Sequence, residues 1–147
     1  MRTVILHNIE MLKPEPNAFS FDQPTNLIIL EVGGLEGHDA KASFSSNIHN
    51  LAIINSTIIM LHLNPNLFSR ELRLFQFHLV GSALASGGPD LDQGYTFNFG
   101  NSQLARLVID GCTVTSTHKR TFIKATAASV EVLKEQLVKG KGPTSNS

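Results

Sequence analysis

Histidine is the commonest metal ligand and acid–base side chain, and this chain carries six: His7, His38, His49, His62, His78 and His118. No two lie within ten residues of one another, whereas local zinc motifs set their ligands a few residues apart. If Asn64-Pro65-Asn66 is a hairpin turn, His62 faces position 68 and His78 faces position 52. At about 3.4 Å per residue the two rings are then about 25–30 Å apart. The histidines therefore read as surface or core-edge side chains, with no metal and no cofactor expected. Asp90-Leu91-Asp92-Gln93-Gly94 opens like a calcium loop, but Tyr95-Thr96-Phe97-Asn98-Phe99 follows where the closing carboxylate is required. It reads as an acidic surface loop.

Nucleophile motifs fare no better. Ser116-Thr117-His118-Lys119 matches Ser-x-x-Lys, but the companion Ser-Asp-Asn and Lys-Thr-Gly motifs are missing. Gly33-Gly34-Leu35-Glu36-Gly37 lacks the Gly-Lys-Ser/Thr ending of a phosphate loop, and its glutamate would repel phosphate. It reads as a turn. A site assembled from distant residues such as His38, Asp39 and His49 stays open, because triads are defined by geometry and not by spacing.

Charge placement is more informative. Residues 1–100 hold five basic and nine acidic groups, and residues 101–147 hold seven basic and three acidic ones. The chain is neutral, yet its first part stands at −4 and its last at +4. Lys119, Arg120 and Lys124 gather part of the positive excess, and Tyr95 and Phe97 lie on a nearby aromatic stretch. These five are the candidate partner-binding residues. They suit an acidic protein surface, another copy of the chain, or, less strongly, a nucleic acid stacked on the aromatics.

The elements that would position them read mainly as strands. Apolar residues alternate over Thr3 to Met11, and Lys13-Pro14-Glu15-Pro16-Asn17 marks a loop. Phe19 and Phe21 alternate, and Leu27 to Val32 is a β-branched run ending at Gly33-Gly34. Residues 33–50 look mostly like loop, with a short strand at Ala42–Phe44. Leu51 to Leu63 reads as a strand region bent at Asn55-Ser56. Leu67 to Val80 fits strand better than helix, although Phe68, Leu72, Phe75 and Leu79 also make a helical stripe. Gly81 to Gly94 is a flexible loop. Leu104 to Ile109 leads into Asp110-Gly111, the strongest hairpin signal, and Cys112 to Thr117 returns. Arg120 to Ala127 adds a strand.

Ser129 to Lys139 is the one segment read as helix: Ser129 caps it, Val130, Leu133 and Leu137 form its stripe, and Gly140 ends it. No internal repeat is evident. The expected fold is all-β or mainly β, an antiparallel sandwich or barrel (jelly-roll-like in one form) of seven to nine strands with one C-terminal helix. Residues 1–140 would form a single domain and 141–147 a disordered tail.

Composition bounds the function. A chain of 147 residues suffices for one self-supporting core. Charged residues are 16% of it, while Ser, Thr and Asn together supply 34 positions, so neither a disordered acidic chain nor a strongly basic nucleic-acid binder fits. One cysteine excludes a disulfide scaffold and fits a reducing compartment. The first residues carry no secretory apolar core, and no apolar run reaches the roughly 20 residues of a spanning helix. The expectation is a cytoplasmic, non-enzymatic β-domain that binds protein or self-assembles as a subunit of a larger complex, with no membrane partner. A nucleic-acid-binding β-barrel using 95–99 and 118–124 is the second reading, and a small enzyme the third.

Overall fold

Short apolar–polar runs in this chain end repeatedly at a residue with a left-handed backbone: Asn8 (φ 60°), Glu31 (55°), Asn55 (49°), Gly81 (60°) and Gly111 (68°). One such residue redirects a strand without folding it back on itself. The computed structural model describes residues 1–36, 42–60, 69, 72–86, 97–116, 123–127, 130–133 and 136–139. Among them are thirteen strands and no helix. In chain order these are β1 (Arg2–His7), β2 (Phe19–Leu30), β3 (Leu35–Glu36), β4 (Phe44–Ile54), β5 (Thr57–Met60), β6 (Gln76–Val80) and β7 (Ala83–Ser86). They continue with β8 (Phe97–Leu104), β9 (Arg106–Asp110), β10 (Thr113–Ser116), β11 (Ile123–Ala127), β12 (Val130–Leu133) and β13 (Gln136–Lys139).

Every strand pair is parallel. The first sheet runs β1-β2-β4-β6-β9-β12, the second β13-β10-β7-β5-β3, and β11 pairs with β8 in a third. The chain visits the sheets in turn and comes back one strand further along each. This is a parallel β-solenoid. Val4, Leu27, Leu51, Phe77, Leu107 and Val130 stand in one register column, so successive coils take 23, 24, 26, 30 and 23 residues. Position along the axis therefore follows position in the sequence.

Alternation decides what faces inward. On the first sheet Leu27, Ile29, Leu51, Ile53, Phe77 and Leu79 are buried, and Leu35 and Ile58 of the second sheet meet them. Each such side chain contributes about 1.5–3 kcal/mol of burial. Phe19 stacks on Phe44, centroids 4.7 Å apart, where the chain enters β2 and β4.

Corners are stitched by hydrogen bonds from coil to coil. The Asn8, Glu31, Asn55 and Gly81 N–H groups donate to the carbonyls of Leu30, Ile54, Val80 and Asp110 at 2.7–3.0 Å. One residue later Val32, Ser56, Ser82 and Cys112 turn inward and are buried. There the N–H of Val32 donates to Ser56 Oγ (3.0 Å) and that of Ser56 to Ser82 Oγ (3.1 Å). The two hydroxyls donate in turn to Ile54 O and Val80 O. Serine thus supplies acceptors that the backbone lacks at the bend.

Several sequence expectations are corrected. The antiparallel sandwich or barrel gives way to parallel sheets, and the chain is built on a repeat after all. Asp110-Gly111 is a corner between β9 and β10, which lie in different sheets. A two-residue hairpin of that kind needs positive φ at both residues, and only Gly111 has it. The helix over 129–139 is replaced by β12 and β13, which continue the first and second sheets. The bend at Asn55-Ser56 falls between β4 and β5 as read, and β6 settles 76–80 as strand.

Candidate functional site

The outward half of the alternation makes the first sheet's outer face, and the register stacks it in columns. One column runs Thr3, Asn26, Asn50, Gln76, Arg106. Asn50 Nδ2 donates to Asn26 Oδ1 at 2.6 Å, and Asn26 Nδ2 reaches Thr3 Oγ1 at a long 3.5 Å. Gln76 Oε1 turns instead to His78 Nε2, 3.2 Å away, and Asn50 Oδ1 is buried with no partner among the described residues. Beside this column His49 stacks flat on Phe75, centroids 5.1 Å apart, with Phe75 45% exposed.

The next two columns are apolar over most of their length. Ile5, Ile28, Ala52, His78 and Val108 form one, and His7, Leu30, Ile54, Val80 and Asp110 the other. Ile5 is 56% exposed, whereas Ile28, Leu30, Ile54 and Val80 are half-buried by the neighbours above and below them. A mostly half-buried apolar strip some four coils long, about 4.8 Å per coil, results.

Among the described residues three ion pairs join the first two coils. Arg2 meets Asp22 at 2.8 Å, His7 meets Glu31 at 2.9 Å and Lys13 meets Glu36 at 3.5 Å. All are largely exposed except the Glu36 carboxylate, and exposed pairs contribute 0–1 kcal/mol each.

Of the residues singled out in the sequence, Phe97 lies on β8 and Lys124 on β11. The two strands pair, with Phe97 opposite Ile123 and Lys124 opposite Asn98. The two positions are one register step apart on neighbouring strands. Tyr95, Lys119 and Arg120 lie outside the described residues, as do His38, Asp39, His62, His118 and the Asp90–Asp92 loop. The described histidines stand apart: His7 with Glu31, His49 with Phe75, His78 with Gln76. Among the described residues no three His, Cys, Asp or Glu side chains converge as a metal site would need. Gly33 and Gly34 serve close packing, since a Cβ there would meet the Glu10 carbonyl and the Met11 side chain. Cys112 is buried, its Sγ 3.2 Å from Leu79 O.

Sequence reading missed the amide column and the apolar strip. Both are visible only once Leu27, Leu51, Phe77 and Leu107 are set one above another. Comparison of the chain with protein-family models, curated proteins and solved structures finds no match. No described helix is long and apolar enough to cross a membrane.

Proposed function

We propose that this protein is a non-enzymatic assembly subunit that binds protein, other copies of itself included, through the outer face of its first sheet. The apolar strip of Ile5, Ile28, Leu30, Ile54 and Val80 carries this reading. It is registered from coil to coil and bordered by amides that can pair with a partner's polar rim. A neutral, charge-poor chain favours association over colloidal repulsion.

Solution mass by light scattering tests it. Ile28→Lys with Ile54→Lys places two charges in the strip without touching the inward core. At moderate salt, where contacts between unlike charges are screened, the double variant should associate at least tenfold more weakly than the parent. That is the scale of losing one buried isoleucine contact, about 1.5–3 kcal/mol. Unchanged association would retire the strip as the contact.

A further inference from the structure

Parallel solenoids have two unlike ends, and here the two ends differ in charge as well. The first sheet begins with β1 and finishes with β12. The Asn8 N–H donates to Leu30 O, so along β1 the alternate backbone groups of Thr3, Ile5 and His7 point away from β2. Among the described residues nothing bonds to them. At the other end Gly81 N–H donates to Asp110 O, which sets the groups of Asp110 toward β6 and those of Leu107 and Ile109 toward β12. Val130 and Val132 stand opposite Leu107 and Ile109, so their own groups point outward from the last coil. Among the described residues each end is a row of unpaired donors and acceptors, the template on which another strand adds.

Charge distinguishes the ends. Among the described residues, 1–36 in the first two coils hold two basic and five acidic groups, and β11, β12 and β13 hold Lys124 and Lys139 with Glu131. Two coils span about 10 Å, close to one Debye length at physiological salt, so both are felt at a contact. Like ends brought together would oppose like charges and pair strands antiparallel. Unlike ends attract and pair strands parallel, as every pair inside the molecule does.

We infer that copies of this chain stack head to tail along the solenoid axis, β12 of one copy adding in parallel to the free edge of β1 of the next. This rests on the reading that the protein works by association, but it uses the ends and not the lateral strip. The contact is heterologous and in line, so it grows threads and does not close.

Proline variants of the full chain test it, because proline removes an N–H. Thr3→Pro deletes an outward N–H of β1 and leaves the β1–β2 bonds in place, and Val130→Pro does the same at the last coil. Each is checked for parent-like circular dichroism, then followed by light scattering against concentration at low salt. The parent mass should climb from 16.0 kDa in a ladder. On the Ile28→Lys, Ile54→Lys background, where the strip contact is removed, either proline change should hold the chain at the monomer mass, and an equimolar mixture of the two should give a dimer and nothing larger, since each then offers one intact end. If one variant fails to fold, the other alone still decides the outcome. A parent that stays monomeric at every concentration, a proline variant on that background that climbs like the parent, or a mixture that extends past the dimer overturns the inference. The Ile28→Lys, Ile54→Lys variant separates the two contacts. Climbing at low salt in that variant supports end stacking. Its staying monomeric while a proline variant climbs keeps association through the strip and removes stacking.

Discussion

Asn8, Glu31, Asn55, Gly81 and Gly111 do the same work in five successive coils, so their side chains can be exchanged with known consequences. All hold positive φ, which costs an ordinary side chain about 1–2 kcal/mol and asparagine or glycine less. We expect Gly111→Asn to change stability by less than about 1 kcal/mol, because Asn55 already occupies this corner two coils earlier. An added Cβ at Gly111 meets only the Gly81 backbone, at 3.9 Å, whereas at Gly81 it runs into the Asn55 amide. Gly81→Ala should therefore cost more than Gly111→Ala, and Asn55→Gly should remove the difference. Urea denaturation of the four variants checks the order. The inward neighbours behave likewise. Ser82→Ala leaves the buried Ser56 N–H without its acceptor and should cost about 1–3 kcal/mol. Cys112→Ser puts at that corner the residue found there in the two preceding coils, and should be close to neutral in stability and assembly. A large loss from it would point to thiol chemistry.

At the scale of elements, the contest between local and long-range order is plainest at Val130–Lys139. Val130, Leu133 and Leu137 mark a helical face, yet Val130, Val132 and Leu137 also match Leu107, Ile109 and Val114 in register. Stacking on a finished coil pairs the backbone groups of β12 and β13 that face β9 and β10, whereas an isolated helix of this length is marginal in water. The strand wins by its neighbour. Far-ultraviolet circular dichroism should accordingly show strand with almost no helix. A helical contribution lost on deleting residues 129–147 would contradict the placement of β12 and β13. The same logic tells what was legible beforehand. Alternation at Leu27–Leu30, Leu51–Ile54 and Phe77–Val80 announced strands, and Asn55-Ser56 announced a bend. The pairing of those strands was hidden, because coils of 23 to 30 residues carry no fixed period and share few identical residues. Without the register, Asn26, Asn50 and Gln76 are three scattered amides, and Ile28 and Ile54 are two more strand residues.

For the whole molecule, a quasi-one-dimensional fold turns a sequence asymmetry into an axial one. In a sandwich or barrel, residues 1–41 and 117–147 would be interleaved and their opposite charges would cancel within the domain. Among the described residues coil order keeps the two basic and five acidic groups of 1–36 at one end and Lys124, Glu131 and Lys139 at the other, a polarity that the net charge of zero hides. Lys119, Arg120 and Lys124 supply half of the basic groups in residues 117–147. Replacing all three with Glu changes that segment from +4 to −2, the same sign as the first two coils at −3. Unlike ends then repel, so the triple variant should lose the low-salt part of the association. The contact through Ile28 and Ile54 is apolar and should persist at moderate salt. Charge at an interface governs encounter and orientation more than depth of binding, so the deficit should lie mainly in the rate of growth. Stopped-flow light scattering at low and moderate salt measures that rate. A triple variant that grows as fast as the parent at both salt concentrations would show that charge does not guide the ends together, leaving the free backbone edges of β1 and β12 to set the direction of stacking by strand polarity alone.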